Sequence, residues 1–238
     1  MREVLLAANL NEWSQALEAL QHNEGLAAVY TVTDEEVAAD AIDYSRAPYG
    51  SDGLLAANKL PPEFHDALRI AHNASHPKQI ENIDEEMEWS AYMRGATGLH
   101  VDGYVGLEDE SRFPLITNFT SRGIAEVTFI PIAYDEIPRY PNGEVSYGLP
   151  SYLKELLVDT PGIECAVDAT ENRFLPRDWA LKLGKIATVR AGQLVAHSGW
   201  SDFKVGRLPV AHQFVSQGET VEERNNRTSS FIRTDYLI

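Results

Sequence analysis

The sequence predicts an α+β fold, mainly β, with helices packed on one face of an antiparallel sandwich or barrel. Two observations carry this. Most of residues 1–95 show apolar residues at helical spacing. After about residue 95, short alternating runs separated by Gly, Pro, Asn and Asp take over. Helices first and strands after is α+β order.

The elements follow in chain order. "NEWSQALEAL" spaces Trp13, Ala16, Leu17 and Leu20 on one helical face. "GLAAVYTVT" is a short strand. It runs into "TDEEVAADAI", where Thr33 and Glu36 fit an S/T-x-x-E capping box and Val37, Ala38, Ala41 and Ile42 form the apolar stripe. "DYSRAPYGSDG" is rich in turn formers and is expected to be a loop. "PPEFHDALRIAHNAS" is a third helix, opened by two prolines and closed by Pro77. Phe64, Ala67, Leu68 and Ala71 share its face. The strands expected after residue 95 are "LHVDGYVG", "AEVTFIPIAY", "IECAVDA", "KIATVRAG", "QLVAHSGW", "LPVAHQFV" and "RTSSFIRTDYL". One helix, "SYLKELLVD", interrupts them.

Length and charge bound the function. A chain of 238 residues suits one domain, with 1–95 as helical support and 96–238 as the β core. An insertion spans about 135–162. The formal net charge of −16 repels phosphate backbones and anionic membranes, so neither nucleic acid nor a membrane is an expected partner. No run approaches the roughly 18 apolar residues of a membrane span. The start, "MREVLLAANLNEW", is too short in apolar residues for a signal peptide. A cytoplasmic location is the expectation, and three N-x-S/T matches at Asn73, Asn118 and Asn226 are then chance. Cys165, the single cysteine, excludes an internal disulfide and a Cys-based zinc site. Its setting, "GIECAVDA", is that of a buried strand.

Seven histidines are present. His22, His65, His72 and His76 make no H-E-x-x-H zinc helix and are expected to be surface or cap residues. His100 and Asp102 are different. On a strand, residues two apart point the same way, so these two share a face with Tyr104. A hydrogen-bonded pair would satisfy that pattern. So would metal binding, with His212 on "LPVAHQFV" as a third ligand. Two histidines and one carboxylate make the facial triad of non-haem Fe(II), leaving three positions for a co-substrate and oxygen. His197 in "QLVAHSGW" competes with His212 for the distal role. In "RTSSFIRTDY", Arg227 and Ser229 alternate onto one face, where a guanidinium fork and a hydroxyl can grip a carboxylate. Arg227 and Arg233 would otherwise serve to solubilise a C-terminal strand.

The series "HVD", "HQFV", "RTSS" resembles the H-x-D…H…R-x-S pattern of the iron(II) and 2-oxoglutarate-dependent oxygenases. "ATVRAGQLVAHSGW" resembles the strand before their distal His, and "EGLAAVYTVTDEEV" their strand-then-helix opening. The resemblance implies a double-stranded β-helix, or jelly-roll, with N-terminal flanking helices. It implies Fe(II) on His100, Asp102 and His212, with 2-oxoglutarate on the metal and its far carboxylate on Arg227 and Ser229. Oxidative decarboxylation with O2 would give succinate, CO2 and an oxidised C–H bond, with hydroxylation as the default. His212 lies 15 residues before Arg227 (227 − 212) and His197 lies 30 (227 − 197), so the family's spacing favours His212. Asp102 argues against a halogenase. The implied substrate is a small molecule, such as an amino acid or natural-product intermediate. Arg94, Tyr104, Arg122 and Trp200 are the candidates to meet it. Two other readings stay open. One is a cupin-like metalloprotein that uses no 2-oxoglutarate. The other is a non-catalytic binding protein in which His100 and Asp102 form a plain pair.

Overall fold

A computed structural model describes residues 2–43, 53–55, 59–75, 81, 90–94, 96–102, 115–146, 148–157, 173–200, 203, 206–216 and 229–233. "IECAVDA", Tyr104, Cys165, His76, Pro77 and Arg227 lie outside these residues. The chain is a mixed α+β structure with two sheets.

It opens with a parallel pair. β1 (Glu3–Ala7) leads through α1 (Leu10–Gln21) to β2 (Gly25–Thr31), and β1 pairs parallel with β2. A helix between parallel strands is the ordinary crossover for such a pair. α1 starts where Asn9 Oδ1 accepts the Glu12 N–H at 3.0 Å, while Glu12 Oε2 accepts the Ala8 N–H at 2.8 Å. These side chains satisfy amide groups that a helix start leaves open. α2 (Glu35–Asp40) follows, then β3 (Ile42–Asp43) and β4 (Gly53–Leu55). α3 (Pro62–Ser75), β5 (Ser90–Arg94) and β6 (Ala96–His100) come next. β7 (Ile116–Thr120) and β8 (Ile124–Pro131) precede a 3-10 turn at Tyr134–Glu136, α4 (Ser151–Leu156) and α5 (Arg177–Leu183). β9 (Lys185–Arg190), β10 (Gln193–His197), β11 (Val210–Ser216) and β12 (Ser229–Arg233) complete the chain.

The large sheet has eight strands in the order β1-β2-β10-β7-β12-β5-β4-β3, and the small sheet has four in the order β6-β11-β8-β9. The sheets face each other across a dry layer. Leu26 and Val29 of β2 and Val195 of β10 meet Val127 and Phe129 of β8, Val189 of β9, and Val210 and Phe214 of β11. The opposite face of the large sheet carries Tyr30, Phe119, Leu194 and Ala196, and it packs against α1, α2 and α3. α1 and α3 are tied where Trp13 Nε1–H donates to the Ala67 carbonyl at 2.9 Å. Tyr30 donates to Glu63 of α3, and burial, then that hydrogen bond and the Glu63 charge, raise the tyrosine pKa. α4, α5 and the 130s segment cover the outer face of the small sheet through Ile130, Ile132, Leu153, Leu175 and Ala180.

Four expectations change. Residues 1–95 supply five strands, β1 to β5, as well as three helices, so they are part of the large sheet and more than a helical support. β1, "EVLLA", lacks two-residue alternation because it is an edge strand whose Leu6 is exposed. The α2 cap is Asp34 and not Thr33: Asp34 Oδ1 accepts the Val37 N–H at 2.9 Å. Asp caps as well as Thr does, and the helix begins one residue later. His72 is buried, because it stands one turn after Leu68 on the apolar face of α3. The strand expected to run through "LHVDGYVG" ends at His100.

Phe119 joins the layers, with its ring 4.9 Å from that of Phe64 on α3 and no solvent exposure. Phe119→Ala should cost about 3–5 kcal/mol. A urea denaturation series checks this, and a loss under about 1 kcal/mol would mean that α3 does not pack there.

Candidate metal centre

β6 and β11 are antiparallel neighbours in the small sheet, and His100 and His212 are Cα partners across them. Directly opposed residues on one face approach within reach of each other's side chains. Their ring centroids lie 4.3 Å apart. The residue after His212 fixes this register from the other side. Gln213 accepts the Leu175 N–H at 2.8 Å and donates to the Leu175 carbonyl at 3.0 Å. One buried amide thus pins the segment leading into α5 against β11.

Asp102 lies two residues beyond the end of β6, so strand alternation alone does not aim it. A backbone clamp does. The Trp200 N–H donates to the Asp102 carbonyl at 2.7 Å. Gly199 makes the approach possible: a Cβ there would stand 2.3 Å from that same oxygen and 2.5 Å from Ile116 Cδ1. Gly199 and Trp200 follow β10, whose last residue is His197, after the single residue Ser198.

Three imidazoles therefore meet one carboxylate. Asp102 Oδ1 is 3.4 Å from His100 Nε2, and Asp102 Oδ2 is 3.5 Å from His212 Nε2 and 3.7 Å from His197 Nε2. Asp102, His197 and His212 are buried, and the His100 side chain is 37% exposed. Of these four side chains, that of His100 is the most open to solvent. Phe129 backs it, with its ring centroid 6.5 Å from that of His212 and 6.0 Å from that of His197.

The tautomer of His100 can be read from its partner. A carbonyl oxygen only accepts, so the 2.7 Å contact between Nδ1 and the Gly98 carbonyl puts the proton on Nδ1. Nε2 then faces Asp102, where a neutral ring offers its lone pair to a metal ion and a protonated ring offers an N–H to the carboxylate. Among the described residues, His100, Asp102 and His212 form a group whose ligand atoms all lie within 4.8 Å of one another. Two nitrogens and an oxygen at such spacing fit a divalent first-row ion, whose donors stand about 2.0–2.2 Å from it.

The remaining sequence candidates fall elsewhere. Trp200 is buried in the outer core beside Leu99 and Ala211, and its backbone N–H does the clamping. Arg122 is exposed in the turn after β7. Arg94 and Ser229 are Cα partners on β5 and β12. Arg233 shares a row with Asn118 of β7 and Val195 of β10. His197 is two residues past Val195, so the row of Arg233 lies about 7 Å from it along the strands. Ser229 lies four residues, about 13 Å, further away. Sequence reasoning assigned no role to Gly199 or to the carbonyl of Gly98. A glycine two residues after a strand histidine was the available signal, and it has no meaning until Asp102 is known to lie against it.

No protein-family model and no curated protein matches the chain. No helix among the described residues is long and apolar enough to cross a membrane.

Gly199→Ala should push Asp102 out of line and weaken Co(II) binding roughly tenfold or more, the scale of a disturbed outer shell. Gly148→Ala is the control, because its Cβ would meet nothing nearer than Lys154 Nζ at 3.7 Å. Competition titration against a chelator reads both, and equal affinities would refute the clamp.

Proposed function

We propose that the protein is an Fe(II)- and 2-oxoglutarate-dependent oxygenase acting on a small molecule. The observation that carries this reading is the His100–Asp102–His212 group, with Asp102 and His212 buried and His100 half-buried. Strand pairing supports a jelly-roll as its frame. β5 pairs with β12, β6 with β11, β7 with β10 and β8 with β9, each antiparallel. First with last, second with next to last, is how a long hairpin folds when it is rolled into two sheets.

In this reading His100 Nε2, Asp102 and His212 hold the ion on one face and leave three positions for ligands from outside. The ion would supply the redox chemistry of O2 activation. The chain's own residues do the rest. The Gly98 carbonyl fixes the His100 tautomer, the Trp200 N–H holds Asp102 in line, and Phe129 keeps water off the buried side. A C–H bond of the substrate and a C–C bond of the keto acid break. One oxygen atom of O2 enters the substrate as a hydroxyl and the other enters the keto acid remnant, giving succinate and CO2. The substrate is an amino acid or natural-product intermediate, met at the exposed edge of His100. For the far carboxylate of 2-oxoglutarate, the R-x-S pattern favours Arg227 with Ser229, while the row spacing favours Arg233.

A second reading has its own observation. A third imidazole, His197, stands at the centre, which suits a cupin-like metalloprotein that uses no 2-oxoglutarate.

Anaerobic titration of the Fe(II)-loaded protein with 2-oxoglutarate separates the two. A weak visible charge-transfer band is expected; iron binding without a band favours the second reading. Asp102→Ala should abolish turnover and iron binding alike. Arg227→Ala and Arg233→Ala then locate the anchor. The true anchor's loss should raise the 2-oxoglutarate requirement at least tenfold, the scale of a lost charge-assisted bond, while sparing iron.

A further inference from the structure

We propose that Asn118 and Thr120, on the inner face of β7, form a ligand subsite that takes the carboxylate of a small organic acid. The site rests on the two-sheet fold and needs neither a bound ion nor 2-oxoglutarate chemistry.

The face is set by strand register. Ile116 is the Cα partner of His197, whose ring reaches Asp102 between the sheets. Side chains alternate along a strand, so Asn118 and Thr120 share that inner face. Phe119, between them, packs the other way, against Phe64 of α3. Asn118 is the partner of Val195, which belongs to the dry layer. The dry layer stops there. It draws on β2, β10, β8, β9 and β11, and among the described residues β7 adds nothing to it. An amide and a hydroxyl stand where two further apolar residues would have continued the core.

Neither group is spent on the fold. Thr120 has no solvent exposure, and its Oγ1 has no hydrogen-bond partner among the described residues. An unpaired buried hydroxyl costs stability, and valine would fill the same space without that cost. Thr117 shows the ordinary solution on the same strand: it is equally buried, and its Oγ1 donates to the Leu115 carbonyl at 3.3 Å. Asn118 is half-buried, and its side-chain amide makes no hydrogen bond among the described residues.

The chemistry of the pair selects the ligand. Their Cα atoms are about 7 Å apart along the strand. At that spacing the amide N–H and the hydroxyl can each donate to one oxygen of a carboxylate lying between them. Arg233 stands in the row of Asn118 on the neighbouring strand, which favours an anion. The row of Asn118 lies about 7 Å inward from that of His197, so an acid held here points along the interior towards the metal centre.

The test uses straight-chain diacids from succinate to adipate as probes, on metal-free protein, with calorimetric titration. These acids lack the keto group that chelates an ion. At least one should bind. Thr120→Val and Asn118→Leu should each weaken the tightest binder roughly tenfold, the scale of one lost hydrogen bond to a charged group. Thr120→Ser, which keeps the hydroxyl, should stay within about threefold. A second readout separates a ligand role from a structural one: without ligand, the urea midpoint of Thr120→Val should equal or exceed that of the unmutated protein. Binding of none of the acids overturns the proposal, and so does unchanged affinity in both Thr120→Val and Asn118→Leu. A lowered urea midpoint in Thr120→Val also overturns it, because the hydroxyl then serves the fold. A missing charge-transfer band with diacid binding intact defeats the oxygenase reading and leaves this one standing. A normal band with unchanged diacid affinity in the two variants does the reverse.

Discussion

The rest of the structure depends on the convergence of three imidazoles on the buried carboxylate of Asp102. Taking a carboxylate out of water costs several kcal/mol unless charge and hydrogen bonds compensate. The structure commits several features to keeping Asp102 there. The Trp200 N–H holds its carbonyl, Gly199 gives it room, and the His100 ring is fixed by the Gly98 carbonyl. None of these features helps a hydrophobic core. Together they set a negative charge among nitrogen donors, which is the electrostatic layout of a cation site. A plain His100–Asp102 pair would need none of the others.

Strand pairing decides which residues can take part. His100 and His212 face each other on neighbouring strands of the small sheet, and His197 ends a strand of the large one. His100 and His212 are 112 positions apart in sequence (212 − 100), with His197 between them, yet all three meet at Asp102. The dry layer of Val127, Phe129, Val195 and Phe214 sets the distance between sheets. Phe129 belongs to both systems, as a core residue and as the wall behind His197 and His212. Fold stability and site geometry are therefore coupled through that ring, and neither sheet alone would assemble the centre.

Much of this was legible in the sequence where a local rule had a clear signature. α1 and α3 buried the faces that helical spacing marked, Trp13, Ala16, Leu17 and Leu20 on one and Phe64, Ala67, Leu68 and Ala71 on the other. The His100, Asp102 and His212 group came together as the H-x-D…H order implied. What was missed had no local signature. β1 gains its partner through a parallel crossover, and β7, "ITNFT", mixes apolar and polar residues that are buried on both faces. α5 is short and begins after a proline that also suits a loop. Asp102 turned out to be aimed by a long-range backbone bond and not by strand alternation, a contact that no spacing along the chain encodes.

The departure from a bare triad is where function is decided. A facial triad needs three free positions if a bidentate keto acid and oxygen are to bind together. A third histidine at the centre threatens this in two ways. It can take a position itself, or it can leave the carboxylate free to take two. The compact ligand group of His100, Asp102 and His212 leaves the first position clear. Whether the third nitrogen is on the ion or on the carboxylate is a difference of about one bond length. That difference separates a centre with two free positions from one with three.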